Sequence, residues 1–497
     1  MKKYKIIVSL LIIVIFFSAC KNWLDLKPQD GLTSDSYWRT KEQVKAAVIG
    51  CYTSMMDNPS VTDNSRTVTD LLFAWGELRA DMLSANSSAS NEEKSTMNSM
   101  ISPTFSICNW RPIYRTINYC NTLIQLAPNV LKTDETFTQA ALNGYLSEAL
   151  AIRSIMYFNL VKVFGEVPLK LDATLTDEVQ LSRPKNTSSE VLDQIDADLL
   201  RADSMAVTTY GTIAENKGRI TKYAINALQA DVYLWREQYE KCISACDKVI
   251  SSGQFGLVTD YSSLFEQGQT SESIFELEFD PQLLNSFYTL LSTDIGKHFL
   301  AAQRVVDEIY MIDQNDPSNI YDRRGNNASL KFSNLSIWKY LGLNSSTGRT
   351  QAQSYAPWIF YRYADVLLMK AEACAQFSRG SESLDIIKQI RDRAQAISST
   401  EQLLSPDDVF GITDYILAER SREFAFEGKR WFDVLRNAKR NHYERKSLLV
   451  TLMVNIAPQT LQTTMVNNIQ DTLSHYLPIY TYELQTDKAL VQNNFYK

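Results

Sequence analysis

Residues 419–436 read ERSREFAFEGKRWFDVLR. Glu419, Glu423, Glu427 and Asp433 lie among Arg420, Arg422, Arg430, Arg436 and Lys429, with Phe424, Phe426, Trp431 and Phe432 interleaved. Carboxylates beside aromatic rings are what a glycoside hydrolase would show, and that chemistry needs one carboxyl with a raised pKa in an apolar pocket. The spacing predicts the reverse. If Thr413 or Asp414 caps a helix running to Glu427, the three glutamates fall one turn apart on one face. Arg420 and Arg422 then stand at i,i+3 or i,i+4 from them. After Gly428 a second short helix carries Arg430, Asp433 and Arg436 at i,i+3 steps. Each carboxylate has a cation in reach, which keeps acids ionised. The cluster is expected to be an ion-pair network of the scaffold, and the chain not to be an enzyme.

Other chemistries find no support. His298, His442 and His475 are the only histidines and lie far apart. No H-E-x-x-H, C-x-x-C, G-x-S-x-G, P-loop or dinucleotide fingerprint occurs. Asp313 to Arg324 (DQNDPSNIYDRR) fails as an EF loop, with Ser318 where Gly is needed and Arg324 where Glu is needed; it reads as an Asx-rich turn. No metal or cofactor is expected. The net charge of −7 gives no basic footprint for nucleic acid.

Binding is the better expectation. Sugar recognition needs aromatic faces with amides, carboxylates or Arg to fork onto hydroxyls. Trp75, Arg79 and Asp81 precede the polar stretch SANSSASNEE with Asn86; Phe287, Tyr288 and His298 follow an ELEF segment; Trp338 and Tyr340 sit in a further loop region. These nine are the candidate ligand contacts. Residues 84–103 hold no aromatic, which weakens a multi-ring glycan platform there and leaves peptide open. Trp110, Trp235, Trp431 and Tyr363, on helical patterns, are expected in the core.

The elements that must position these residues are helical. Residues 109–126 place Ile113, Ile117, Cys120 and Ile124 on one face, and residues 142–164 stack Leu146, Ala149, Ile152, Tyr157 and Leu160. Residues 222–250 form a pair of helices broken near Glu237, and residues 363–394 a second pair turning at Arg379–Gly380. This small–large alternation resembles tetratricopeptide (TPR) repeats. Residues 84–106, 253–297 and 326–355 read as irregular, apart from a strand at SIFELEF (residues 273–279). At the start, Lys2, Lys3 and Lys5 precede an apolar run ending Ser18-Ala19-Cys20. This is a signal peptide over 1–19, with Cys20 as the lipidated first residue of an extended arm, 20–32. A lipid of several chains anchors stably. Residues 33–497 are expected to form one domain. Cys51, Cys108, Cys120, Cys242, Cys246 and Cys374 are scattered and expected to be buried thiols.

The motifs agree with one family in order along the chain. WLDLKPQ follows the lipid cysteine. EALAIRSIMYFNLVKVFGEVPL, NKGRITKYAINALQADVYL, WIFYRYADVLLMKAEA, ERSREFAFEGKRWFDVLR and LPIYTYELQTDKALVQNNFY come after it. Together they resemble the SusD/RagB family of outer-membrane nutrient-binding lipoproteins, with Asp487-Lys488 where that family usually has Asn-Pro. The resemblance implies a mostly α fold, with four TPR-like helix pairs packed against an irregular half in one domain. It implies a lipid-anchored protein on the cell surface that caps a TonB-dependent SusC-like transporter and binds oligosaccharide, or in some members peptide, without cleaving it. A surface hydrolase and a purely structural TPR protein are the alternatives. The motifs mark scaffold, so no ligand contact follows from them.

Overall fold

A computed structural model of the chain describes residues 37–57, 66–175, 182–292, 296–313 and 321–497. The signal peptide, Cys20, the whole arm and much of the Asx-rich turn lie outside the described residues.

The helical patterns form where their periodicity places them. α1 (Lys41–Met56) starts at a reciprocal cap: Thr40 accepts from the Gln43 amide and the Gln43 side chain accepts from the Thr40 amide. α2 (Val68–Glu77) and α3 (Asn91–Met97) begin with the same device. α4 (Arg111–Leu126) and α5 (Gln139–Phe164) follow, then α6 (Ser188–Met205) and the short α7 (Ile213–Gly218). α5 is apolar almost all round, so it is buried between neighbours; α4 packs on one side of it and α6 on another. The expected pairs are α8 (Lys222–Trp235) with α9 (Tyr239–Ile250), and α10 (Tyr363–Gln376) with α11 (Gly380–Ala394). Glu237 breaks the first pair with a φ of +59°. The hairpins are consistent with the TPR-like style.

α12 (Val409–Glu423) differs from its expected bounds. Asp408, not Thr413 or Asp414, caps it by accepting from the Gly411 amide at 2.8 Å. It stops at Glu423, four residues short of Glu427. α13 (Arg430–Tyr443) ends in a left-handed turn, with Asn441, His442 and Tyr443 at φ of 51°, 58° and 66°. α14 (Ser447–Ile456) and α15 (Gln462–Gln470) fold back as a hairpin.

Two small antiparallel sheets complete the frame. β1 (Leu83–Ala85) pairs with β3 (Phe299–Ala301), Ser84 opposite Leu300. β2 (Ser273–Leu277), the expected strand, pairs with β4 (Trp358–Arg362) through an irregular register. Besides β2, the stretches read as irregular hold further order: α3 lies in the first, helix Phe287–Leu291 in the second, helix Trp338–Leu341 in the third.

Most buried apolar residues form one continuous core, and a second cluster sits between α10, α11 and α12. Trp110, Trp235, Trp431 and Tyr363 are buried, and the six cysteines are buried thiols. α2 meets the α12–α13 turn closely. A Cβ on Gly76 would stand 1.9 Å from the Gly428 carbonyl oxygen, so only glycine allows this approach.

Candidate functional site

The acid cluster resolves into a sealed junction. Glu419, Glu423 and Glu427 are each buried. Glu419 accepts from Arg324 at 2.6 Å, Arg422 at 3.0 Å and Arg391 at 3.3 Å. Glu423 accepts from Arg362 at 2.5 Å, from Arg324 at 2.8 Å and from Arg393. Glu427 is held by Lys339 at 2.8 Å and Arg362 at 2.9 Å. Burial by itself would raise these carboxyls. The guanidinium groups outweigh it, holding Glu419 at about 2, Glu423 well below its ordinary value and Glu427 below it too. All three stay ionised, the state opposite to that of a general acid.

The cations are not the expected ones. Of the neighbours in sequence, only Arg422 serves a glutamate of this set. Arg420 instead binds Asp365 at 2.9 Å and Asp433 at 2.8 Å, and Arg436 binds Glu372 and Asp433. The main partners come from elsewhere: Arg362 from β4, Arg393 from α11, and Arg324 from the end of the turn read as a failed EF loop. Several carboxyls elsewhere do rise, among them one that touches the α12–α13 turn. Glu77, closing α2, is fully buried and accepts the Gly428 amide at 2.8 Å; burial pushes it up to about 8. Enclosed by protein, it faces no substrate.

The open polar feature lies on the other side of α12. Two adjoining cavities, of about 310 and 560 Å³, share Asp81, Arg304 and Asn455 and so form one groove. α12, α13 and α14 wall the inner lobe, with Ser421, Arg430 and Thr451 on it. β1, α3 and the segment after β3 wall the outer lobe, with Ser84, Asn98 and Gln303. Asp81 is the anchor. Arg430 grips it with two nitrogens, at 2.8 and 3.0 Å, and Arg304 binds it from the groove side while reaching Glu308 at 2.7 Å. Burial would raise the Asp81 carboxyl, and these two guanidiniums bring it below its usual value. Among the described residues no aromatic ring lines either lobe. The groove offers amides, hydroxyls and a fixed guanidinium–carboxylate pair, which suit a ligand rich in hydroxyls or peptide groups.

The nine sequence candidates scatter. Asp81 lines the groove. Asn86 and His298 meet just beyond β1: the Asn86 amide donates to the His298 carbonyl at 2.9 Å, and the imidazole Nδ1 lies 3.0 Å from Glu93. Trp75 is not in a loop. It is buried in α2, and its indole donates to the Ile107 carbonyl at 2.8 Å. Arg79 is buried with its guanidinium 4.1 Å from the Trp431 ring centroid. Phe287 and Tyr340 stack at 4.2 Å in the core, with Trp358 on the same stack. Tyr288 is buried beside them in sequence. Trp338 is half-buried, packed under Gly342 and Gly348 with the Lys331 ammonium 3.9 Å from its ring. The side chains of Trp75, Arg79, Phe287, Tyr288 and Tyr340 are therefore enclosed by protein. The groove residues Arg304, Gln303, Asn98 and Asn455 were not legible in the sequence; Ser421, Arg422 and Arg430 stood in a motif, but as scaffold. Among the described residues no cluster of His, Cys, Asp or Glu could hold a metal, and no helix is long and apolar enough to cross a membrane.

The architecture is shared with known proteins. A SusD superfamily structure from Bacteroides vulgatus superposes with a TM-score of 0.74 at 20% identity, covering 92% of this chain and 100% of that one. Surface glycan-binding protein A from Bacteroides uniformis gives 0.71 at 21% identity, over 92% and 100%. SusD-like protein P38 of Formosa agariphila is 24% identical over 492 residues, 88% of this chain and 93% of its own. A family model described as "Starch-binding associating with outer membrane" matches residues 22–234, and the SusD family model matches residues 263–496. Fold, motifs and these two complementary matches show that the chain belongs to the SusD/RagB family.

Proposed function

We propose that this chain is a non-catalytic surface lipoprotein, anchored through Cys20, that captures oligosaccharide in the Asp81–Arg304–Asn455 groove. It delivers the ligand to a partner TonB-dependent SusC-like transporter in the outer membrane. The single observation that carries this reading is the contrast between sealed and open acids: Glu419, Glu423 and Glu427 are buried and ionised, while the accessible groove presents Asp81 held by Arg430 and Arg304 beside neutral amides and hydroxyls. Similarity to a protein whose name states glycan binding supports the ligand class. The test is calorimetry against a panel of neutral oligosaccharides, with reducing-end release followed in parallel. Saturable binding without release, weakened by Asn455→Ala, is expected. Hydrolysis that Glu423→Gln abolishes would overturn it. A second reading, an extended peptide as ligand, is favoured by the lack of any ring among the described residues along the groove; a peptide library in the same calorimeter decides between them.

A further inference from the structure

A separate cavity of about 300 Å³ opens where α7 and the start of α8 meet the segments after α9 and before β2. Its size is at the lower end of the ~300–1,000 Å³ usual for small-ligand sites. Lys217, from α7, forms part of the wall and is only 8% exposed. Its ammonium stands 4.5 Å from the Phe255 ring centroid and donates to the Ser273 carbonyl. An ammonium has three donors, yet among the described residues no carboxylate is within ion-pair distance of this one. Glu276, whose field reaches Lys217, has both oxygens engaged, one by the Gln269 amide at 2.7 Å and one by the Ser273 hydroxyl. Burial without a close counter-charge pulls the Lys217 amine down to about 8, so it keeps its proton at neutral pH.

The surroundings narrow the partner. Tyr223 and Phe255 meet edge to face at 5.6 Å, and Asn216, Gln254 and Thr270 add neutral polar groups. Among the described residues no carboxylate lines this cavity. The groove carries Asp81, Glu308 and Asp414, and a larger cavity beside α11 carries Asp385, Asp392 and Glu401. A buried charge without a close counter-charge is costly, so an anion entering here gains what the protein withholds. Aromatic rings beside amides and hydroxyls suit a sugar ring rather than a bare ion.

We propose that this cavity is a second subsite, taking a sugar residue that bears one anionic group, carboxylate or sulfate, paired with Lys217 and laid against Phe255 and Tyr223. The proposal rests on the reading of the chain as a glycan binder. The test uses saturation-transfer NMR and calorimetry on the full chain with glucuronate, galacturonate and glucose 6-sulfate against glucose and galactose. The anionic sugars are expected to bind about 10-fold tighter than their neutral parents, as a charge-assisted hydrogen bond implies. That preference should weaken with salt, vanish in Lys217→Met and persist in Lys217→Arg. The uronates and the sulfate ester separate the two anions. Equal binding of charged and neutral sugars, or a preference that survives Lys217→Met, overturns the assignment. So does occupation by an acetylated dipeptide while the anionic sugars are silent. If these probes fail but neutral oligosaccharides still bind the groove, this inference alone falls; if no saccharide binds anywhere, the glycan reading falls with it.

Discussion

Arg362 and Arg304 each hold buried carboxylates, but water reaches only one of them. Arg362 is 0% exposed and lies between Glu272, Glu423 and Glu427; Arg304 keeps 18% of its side chain exposed and shares Asp81 with Arg430. The same residue types therefore do different work. In the junction the charges have been fully desolvated, so each depends on the others, and removing one strands the rest. In the groove the pair is rigid yet open on one side, and a ligand can add hydrogen bonds to it. Function-like chemistry in a sequence is thus not a guide to an accessible site until burial is known.

That contrast can be broken. Arg362→Met should cost the most, about 3–5 kcal/mol, because it leaves Glu423 and Glu427 short of a cation in a dry interior. Urea unfolding reads this directly, and a loss below about 1 kcal/mol would mean that the junction is not a staple. Gly76→Ala comes next. Its added Cβ meets the Gly428 backbone, which cannot rotate aside, and about 2–3 kcal/mol should be lost; a Tm equal to the parent would contradict the close approach.

Acid should sharpen the comparison. Glu419 and Glu372 move from an ordinary 4.5 to about 2. A depressed carboxyl contributes stability that is present above its unfolded pKa and lost as pH falls, here from about 4.5 toward 2. Glu77 has the opposite sign. Raised to about 8, it binds a proton that the unfolded chain has already released, so its contribution is present below about 4.5 and lost as pH climbs to 8. Circular dichroism melts across pH should show both slopes, and Glu77→Gln should flatten only the upper one. The smallest effect on stability belongs to the groove. Arg304→Ala leaves Asp81 with Arg430 and should cost less than about 1 kcal/mol. Glycan affinity should nonetheless fall about 10-fold, and unchanged affinity in calorimetry would move the ligand elsewhere.

How far the sequence reached depends on the range of the interaction. The α8–α9 and α10–α11 hairpins were legible because a helix displays its inward face every three or four residues, and Ala227, Ala230, Ile387 and Ile390 mark it. The binding candidates were less so. Trp75 and Arg79 precede a polar stretch and read as loop, yet the apolar run from Leu71 to Trp75 belongs to α2, which carries Trp75 inward, and Arg79 is buried in the turn that follows. Phe287, Tyr340 and Trp358 stack from three distant segments, which no local pattern records. Lys217 gave no signal at all, since its isolation from carboxylates is a property of its surroundings.

From the sequence alone came the helical class, the family motifs and the conclusion that the acids near residue 423 are matched by cations. Periodicity and charge balance are local or summed quantities, and a chain carries them unfolded. Which guanidinium meets which carboxylate was decided only on folding: Arg324, Arg362 and Arg393 converge on Glu423 across 30 to 99 residues. Whether a polar group ends in a sealed junction or an open groove was decided there too, because water is excluded by packing between segments and not by the residues' own identities.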